Sequence, residues 1–254
     1  MSIAIETKGL TRRFGTFCAV DTLDLQVERG KFYGFLGPNG AGKSTTIKML
    51  TGLLAPSSGS ITILGEDMSD RAKSREVKRR VGVVPENLAL FDNLTAREYL
   101  TFMGRMYLLP IATVRERCEE LLRMMNLENE EKKLTMEFSH GMKKKLALAA
   151  ALIGNPDLLF LDEPFEGVDA VASKVLRDLL KHFVDRGATV FLTSHVLEIV
   201  ERLCTDVGII ARGKLVYQGS MQTIRETGTL EDLFLKTVGG DELEKQKLSW
   251  LEAP

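Results

Sequence analysis

The sequence predicts an α/β fold, and three observations carry that prediction. A glycine-rich loop at residues 37–45 follows a dense apolar run, Phe32–Leu36, suited to a buried strand. Two further apolar runs, residues 158–161 and 189–193, read as parallel strands covered on both faces, and helix-length segments separate all three. Three other stretches alternate apolar with polar residues: Ile3 and Ile5, then Leu23, Leu25 and Val27, then Ile61 and Ile63. That period of two marks half-exposed strands, so an antiparallel sheet is expected near the N-terminus.

The loop is the most specific feature. Gly37, Pro38, Asn39, Gly40, Ala41, Gly42, Lys43, Ser44 and Thr45 fit the pattern G-x-x-x-x-G-K-[ST]. Glycines let backbone N–H groups close around β- and γ-phosphates, Lys43 reaches their oxygens, and the Ser44 hydroxyl ligates Mg²⁺. A P-loop NTPase core binding a nucleoside triphosphate with Mg²⁺ is therefore expected, spanning residues 1–86 and 156–238. Residues 71–80 carry six Lys/Arg against one Glu. They read as a solvated helix face or as a contact for anionic lipid or RNA. Residues 87–155 are rich in Leu, Met, Glu and Arg with no convincing strand run, and read as an inserted helical subdomain.

The run Leu158, Leu159, Phe160, Leu161 leads into Asp162, Glu163 and Pro164. Two carboxylates thus stand where a buried strand ends, the edge at which such sheets hold ligands. Asp162 suits Mg²⁺, and Glu163 suits a general base that deprotonates the water attacking a γ-phosphate. Farther on, strand runs on either side of Arg212 and Gly213 predict a tight hairpin. Leu230, Leu233 and Phe234 share one helical face. The C-terminal tail, residues 239–254, is charged except for Leu243, Leu248, Trp250 and Leu251, and reads as a frayed end or a docking segment.

Composition sets limits on function. With 254 residues, 44% of them hydrophobic, the chain buries a full core. A net charge of -1 argues against a broad polyanion-binding surface, so no nucleic-acid partner is expected. Cys18, Cys118 and Cys204 lie far apart without metal-ligand spacing, which suits a reducing cytosol. The longest strongly apolar run has eight residues, short of the ~20 a bilayer requires, and no signal-peptide pattern opens the chain. Any transmembrane work is expected of another chain.

Between the loop and the paired acids stands Phe138-Ser139-His140-Gly141-Met142-Lys143, followed by apolar residues at helical spacing. Ser139 begins that helix, either as an ordinary cap or as an anion site built from exposed N–H groups with Lys143, Lys144 and Lys145 nearby.

In the order of these motifs the chain resembles the ATP-binding subunit of an ABC transporter from about residue 3 to residue 238. The resemblance implies ATP and Mg²⁺ as cofactors and a homodimer or heterodimer of ATPase subunits. In that arrangement Ser139 and Gly141 reach the γ-phosphate held by the partner. It also implies that His195 contacts the γ-phosphate, that Asp169 lies in the loop crossing the dimer, and that adenine stacks on Phe14. For Phe14 core packing is the alternative, and for His195 a buried structural imidazole. An integral membrane permease is the implied partner, docking on the helical lobe near Glu86, where Met103, Met106, Met124 and Met125 contribute to a groove or to the core. The subunit would then sit on the cytoplasmic face of the membrane.

The segments 138–143 and 230–234 resemble exporters of the multidrug, lipid or polysaccharide type. A soluble ATPase remodelling ribosomes or nucleic acid, and a nucleotide-gated regulatory module, are the alternatives. Two departures stand out. Glu86 occupies the place of a family Gln, and its carboxylate is expected to bind Mg²⁺ more strongly than an amide. His140 replaces a signature glycine, at a steric cost of roughly 1–3 kcal/mol if that position needs positive φ or close approach.

Overall fold

Alternating side chains set β1 (Ile3–Phe14) against β2 (Phe17–Glu28) as an antiparallel pair, in a computed structural model that describes residues 2–239. The strong alternation of β1 stops after Thr7, because Gly9 takes φ +59° and shifts the register before Leu10. β3 (Phe32–Leu36) is buried along its whole length and runs through the loop into α1 (Lys43–Leu50). β4 (Ser58–Ile63) and β5 (Glu66–Asp67) complete the antiparallel sheet in the order β2-β1-β4-β5.

α2 (Arg71–Lys78) starts at Asp70, whose carboxylate accepts the Ala72 and Lys73 N–H groups, and it buries only Val77. Its basic face pairs locally, Lys73 with Glu66 at 3.0 Å, as a solvated helix surface does. β6 (Val81–Val84) follows.

Residues 87–155 hold α3 (Ala96–Met106), α4 (Ile111–Met124) and α5 (His140–Leu152), with two short 3₁₀ turns. Thr95 and Glu98 form a reciprocal capping box that fixes the start of α3, and Pro110 precedes α4. α3 and α4 meet where Gly104 faces Val114: a Cβ there would stand 2.8 Å from a Val114 methyl carbon. The far half of α5 lies on β6, where a Cβ on Gly82 would come within 2.5 Å of the Ala151 carbonyl oxygen. Tyr107 adds a hydroxyl donated to the Val81 carbonyl at 3.1 Å.

The chain then returns to strand and helix: β7 (Leu158–Asp162), α6 (Ala170–Asp185), β8 (Thr189–Ser194), α7 (Leu197–Leu203), β9 (Asp206–Ala211), β10 (Lys214–Ser220), α8 (Met221–Thr227) and α9 (Leu230–Val238). The second sheet has the order β10-β9-β3-β8-β7-β6, parallel except for the hairpin strand β10. The three dense apolar runs are its adjacent central strands. Their alternation divides the core in two. Phe32, Leu36, Leu159, Leu161, Val190 and Leu192 pack with α3 to α7 on one face. Tyr33, Phe35, Leu158, Phe160 and Phe191 pack with α1 and the antiparallel sheet on the other, the rings of Tyr33, Phe35 and Phe160 each 5.3–5.6 Å from that of Phe191. Both faces covered is the reason these strands read as unbroken apolar runs.

Leu230 is buried, with Leu233 and Phe234 packed beside it, as one face of α9. Among the described residues no helix is long and apolar enough to cross a membrane. Leu243, Leu248, Trp250 and Leu251 lie outside the described residues.

Candidate functional site

The C-terminal ends of β3, β6, β7 and β8 meet at one edge of the parallel sheet, and the chemistry-bearing residues leave the sheet there. After β3 the backbone turns through Gly40 at φ +78° and Gly42 at φ +111°, conformations that favour glycine. A Cβ on Gly42 would stand 2.6 Å from the Ala19 carbonyl oxygen, so this residue also lacks room for a side chain. Gly42 gives α1 no side-chain cap, and the first turn of α1 carries no acid. The positive end of that helix therefore faces outward as an anion-binding surface. Lys43 is buried, its ammonium donating to the carbonyls of Gly37 at 2.7 Å and Pro38 at 3.2 Å.

Loop residues from Asn39 through Thr45, with Phe17, Ala19, Glu86 and Glu163, line a cavity of 400 Å³. The Ser44 hydroxyl donates to Glu86 Oε2 at 3.4 Å, which sets two of the three expected metal ligands side by side. Asp162 and Glu163 are both buried at the end of β7. Thr193 on β8 serves both: its hydroxyl donates to Asp162 Oδ1 at 2.5 Å and accepts the Glu163 N–H at 3.1 Å. Glu163 has φ +49°, a left-handed backbone that costs a non-glycine residue about 1–2 kcal/mol. Its Oε2 lies 3.0 Å from Nδ1 of the half-exposed His195.

Lys144 completes this cluster. Sequence reasoning placed it with Lys143 and Lys145 as charge near the helix start. It is instead 4% exposed, and its ammonium donates to the carbonyls of Glu163 at 2.8 Å and Glu166 at 2.5 Å. Burial pushes its pKa below the ordinary lysine value, against the opposing pull of Glu166, Glu163 and Glu86. The available signal was spacing, since Lys144 shares a stripe with Ala147, Leu148 and Ala151, all buried.

The remaining expected residues lie away from this cavity. Ser139 caps α5, accepting the Met142 N–H at 3.3 Å, and its residue surface is exposed. His140 is the first residue of α5 and is not among the positive-φ residues, so the backbone strain anticipated for it does not arise. Its Cδ2 instead stands 2.9 Å from where a Cβ on Gly167 would sit, and Gly167, at φ +68°, leaves that space. Gly141 faces the Gly167 carbonyl with room to spare. Asp169 caps α6 by accepting the Ala172 N–H at 2.9 Å. Phe14 is 47% exposed with the Arg12 guanidinium 4.6 Å from its ring centre, and it does not line the cavity. Phe17, its partner across the β1–β2 turn, does. Sequence reasoning missed Phe17 because both aromatics flank the same two-residue turn. Of the four methionines, Met125 is buried and Met103 half-buried, whereas Met106 and Met124 are exposed.

The donors suit a hard cation: a hydroxyl and carboxylates, with Ser44 and Glu86 in contact. Among the described residues no three His, Cys, Asp or Glu side chains are grouped to hold a metal by themselves. A cation here would therefore draw part of its oxygen shell from a bound triphosphate.

A family model described as ABC transporter matches residues 20–166. The bacitracin transport ATP-binding protein BcrA of Bacillus licheniformis is 42% identical over 217 residues, covering 85% of this chain and 69% of that protein. The Nod factor export ATP-binding protein I of Cupriavidus metallidurans is 38% identical over 248 residues, covering 96% and 79%. A solved ATP-binding subunit of an ABC transporter superposes with a TM-score of 0.86 at 31% identity, covering 92% of this chain and 99% of that one.

Proposed function

This chain belongs to the ABC transporter family as an ATP-binding, ATP-hydrolysing subunit of an export system, and from that membership we propose how its residues divide the work. The observation that carries the reading is the meeting of Lys43, Ser44, Thr45, Glu86 and Glu163 on one cavity at the ligand edge of the sheet.

The loop amides and Lys43 hold the β- and γ-phosphates, and an aromatic at the β1–β2 turn, Phe17 or Phe14, covers the adenine. Ser44, Asp162 and Glu86 would hold Mg²⁺, which supplies charge neutralisation at the phosphate oxygens. Glu163 takes the proton from water as the water oxygen bonds to the γ-phosphorus and the bond to the bridging oxygen breaks, releasing ADP. His195 orients Glu163 and donates toward the γ-phosphate.

Ser139 and Gly141, at the exposed start of α5, serve the nucleotide of a second ATPase subunit, with Asp169 in the loop that crosses between the two. ATP thereby drives dimerisation. We take residues 87–155 as the helical subdomain, on which an integral membrane permease docks. Support comes from Phe91 and Phe102, both exposed and 5.2 Å apart edge to face, beside the exposed Met106 and a cavity of 190 Å³ that Pro85 and Met103 help to line. That docking puts the chain on the cytoplasmic face of the membrane. The relatives are named for bacitracin transport and Nod factor export, and in this reading the permease selects the cargo.

Affinity purification from detergent-solubilised membranes tests this reading. The chain is expected to bring down an integral membrane protein whose presence raises ATP-dependent phosphate release. Recovery with ribosomes or nucleic acid alone would overturn it.

Glu86 gives a second, sharper test. Glu86→Gln removes a charge worth about 1 kcal/mol at this exposure, so half-maximal phosphate release is expected at about fivefold higher Mg²⁺ with maximal turnover retained. A Mg²⁺ titration that does not move rules out the contact.

A further inference from the structure

We propose that Lys144 is a positioning residue for hydrolysis: from α5 it clamps the carbonyls of Glu163 and Glu166 and so fixes the backbone turn that aims the Glu163 carboxylate at the nucleotide cavity. The inference rests on the reading of Glu163 as the base, and its failure separates from the failure of that reading in the experiment below.

Glu163 needs such a clamp. Its backbone sits at φ +49°, a conformation that non-glycine residues hold only when their surroundings over-determine it. Three contacts hold its backbone here: Thr193 receives its N–H at 3.1 Å, and its carbonyl accepts the Lys144 ammonium at 2.8 Å and the Glu166 N–H of its own turn at 3.3 Å, while His195 stands 3.0 Å from its carboxylate. Thr193 and His195 come from β8 and the turn after it, and the Glu166 N–H from Glu163's own turn, so Lys144 is the tether that α5 supplies.

A lysine at this place also needs a reason. Its neighbours on the buried stripe are Ala147, Leu148 and Ala151, and an apolar side chain would continue them without desolvating a charge. The ammonium bonds two backbone carbonyls of one turn and no carboxylate, so it acts on the path of the chain. Both bonds are charge-assisted, the stronger kind of hydrogen bond.

The helix that supplies Lys144 begins at Ser139, and Gly141 and His140 also lie against Gly167 of the same turn. One rigid piece therefore joins the edge that serves a second subunit's nucleotide to the base that serves this subunit's own. A shift of α5 on dimerisation would reach Glu163 through Lys144.

The experiment compares K144M, K144R, E163Q and K144M/E163Q by steady-state and single-turnover ATP hydrolysis, with ATP affinity and thermal melting measured on each. K144M is expected to lower kcat about 10- to 100-fold while KM and ATP affinity stay within about twofold, because a base displaced by a fraction of an ångström loses rate before it loses binding. K144R, whose guanidinium donates to two carbonyls, is expected to restore most of the rate. Added to E163Q, K144M is expected to cost nothing further. If K144M fails to fold, K144Q takes its place. An unchanged kcat in K144M with a large loss in E163Q would overturn the role of Lys144 alone. So would a double variant that loses the product of both single effects. Full activity in E163Q would overturn the base assignment itself.

Discussion

Glu163→Gln is expected to leave ATP bound and the dimer assembled while phosphate release falls about 10²–10⁴-fold, the range that loss of a general base produces. An amide keeps the size of the side chain and cannot accept the proton from attacking water. The surroundings favour a clean result. Glu163 is buried, its N–H is held by Thr193, and its carbonyl is held by Lys144, so the backbone position does not depend on the carboxylate. The contact most altered is with His195 Nδ1 at 3.0 Å, where the amide oxygen still accepts. Phosphate release under saturating MgATP, beside a size measurement of the ATP-bound protein, checks both halves. Turnover equal to that of the unaltered chain would remove Glu163 from the chemistry.

Lys43→Met is expected to weaken ATP binding by roughly 10- to 150-fold, because hydrogen bonds to a charged donor contribute about 1.5–3 kcal/mol. Methionine keeps most of the stem and removes the ammonium. That group is buried and donates to the carbonyls of Gly37 and Pro38, so it braces the loop as well as carrying the charge that meets the phosphates. Two losses follow: the attraction to the triphosphate, and the ammonium's bonds to the two loop carbonyls, of which that of Pro38 keeps the Ala41 N–H at 3.1 Å. Titration with a fluorescent ATP analogue measures the affinity, and circular dichroism shows whether the fold is intact. A dissociation constant within threefold of the unaltered chain would show that Lys43 does not reach the nucleotide.

The sequence disclosed the site by its strands and failed where tertiary contact decides. Phe32–Leu36 and the runs ending at Asp162 and Thr193 are legible because a strand covered on both faces has no polar side to interrupt it. The phosphate loop is legible because its glycines are demanded by backbone geometry, at Gly42 by positive φ and by the Ala19 carbonyl together. Thr193 looked like one more strand residue, and its two bonds to Asp162 and Glu163 appear only when β7 and β8 lie side by side. Lys144 was hidden for a related reason: three consecutive lysines look solvated until the face of α5 covered by the turn at Glu163 is known. β1 was legible only at Ile3 and Ile5, since Gly9 shifts the register and scrambles the alternation beyond it. The φ of Glu163 left no mark in the sequence at all, as no glycine, Asn or Asp stands there.

The single hydroxyl of Thr193 has a further consequence. It grips the acid assigned to the cation with its proton and the acid assigned to water with its lone pair, so the two neighbours share one hinge pin. A sideways slip of β8 past β7 would loosen both grips together. Cation capture and proton removal are thereby geared to each other, and selection acting on either one drags its companion along.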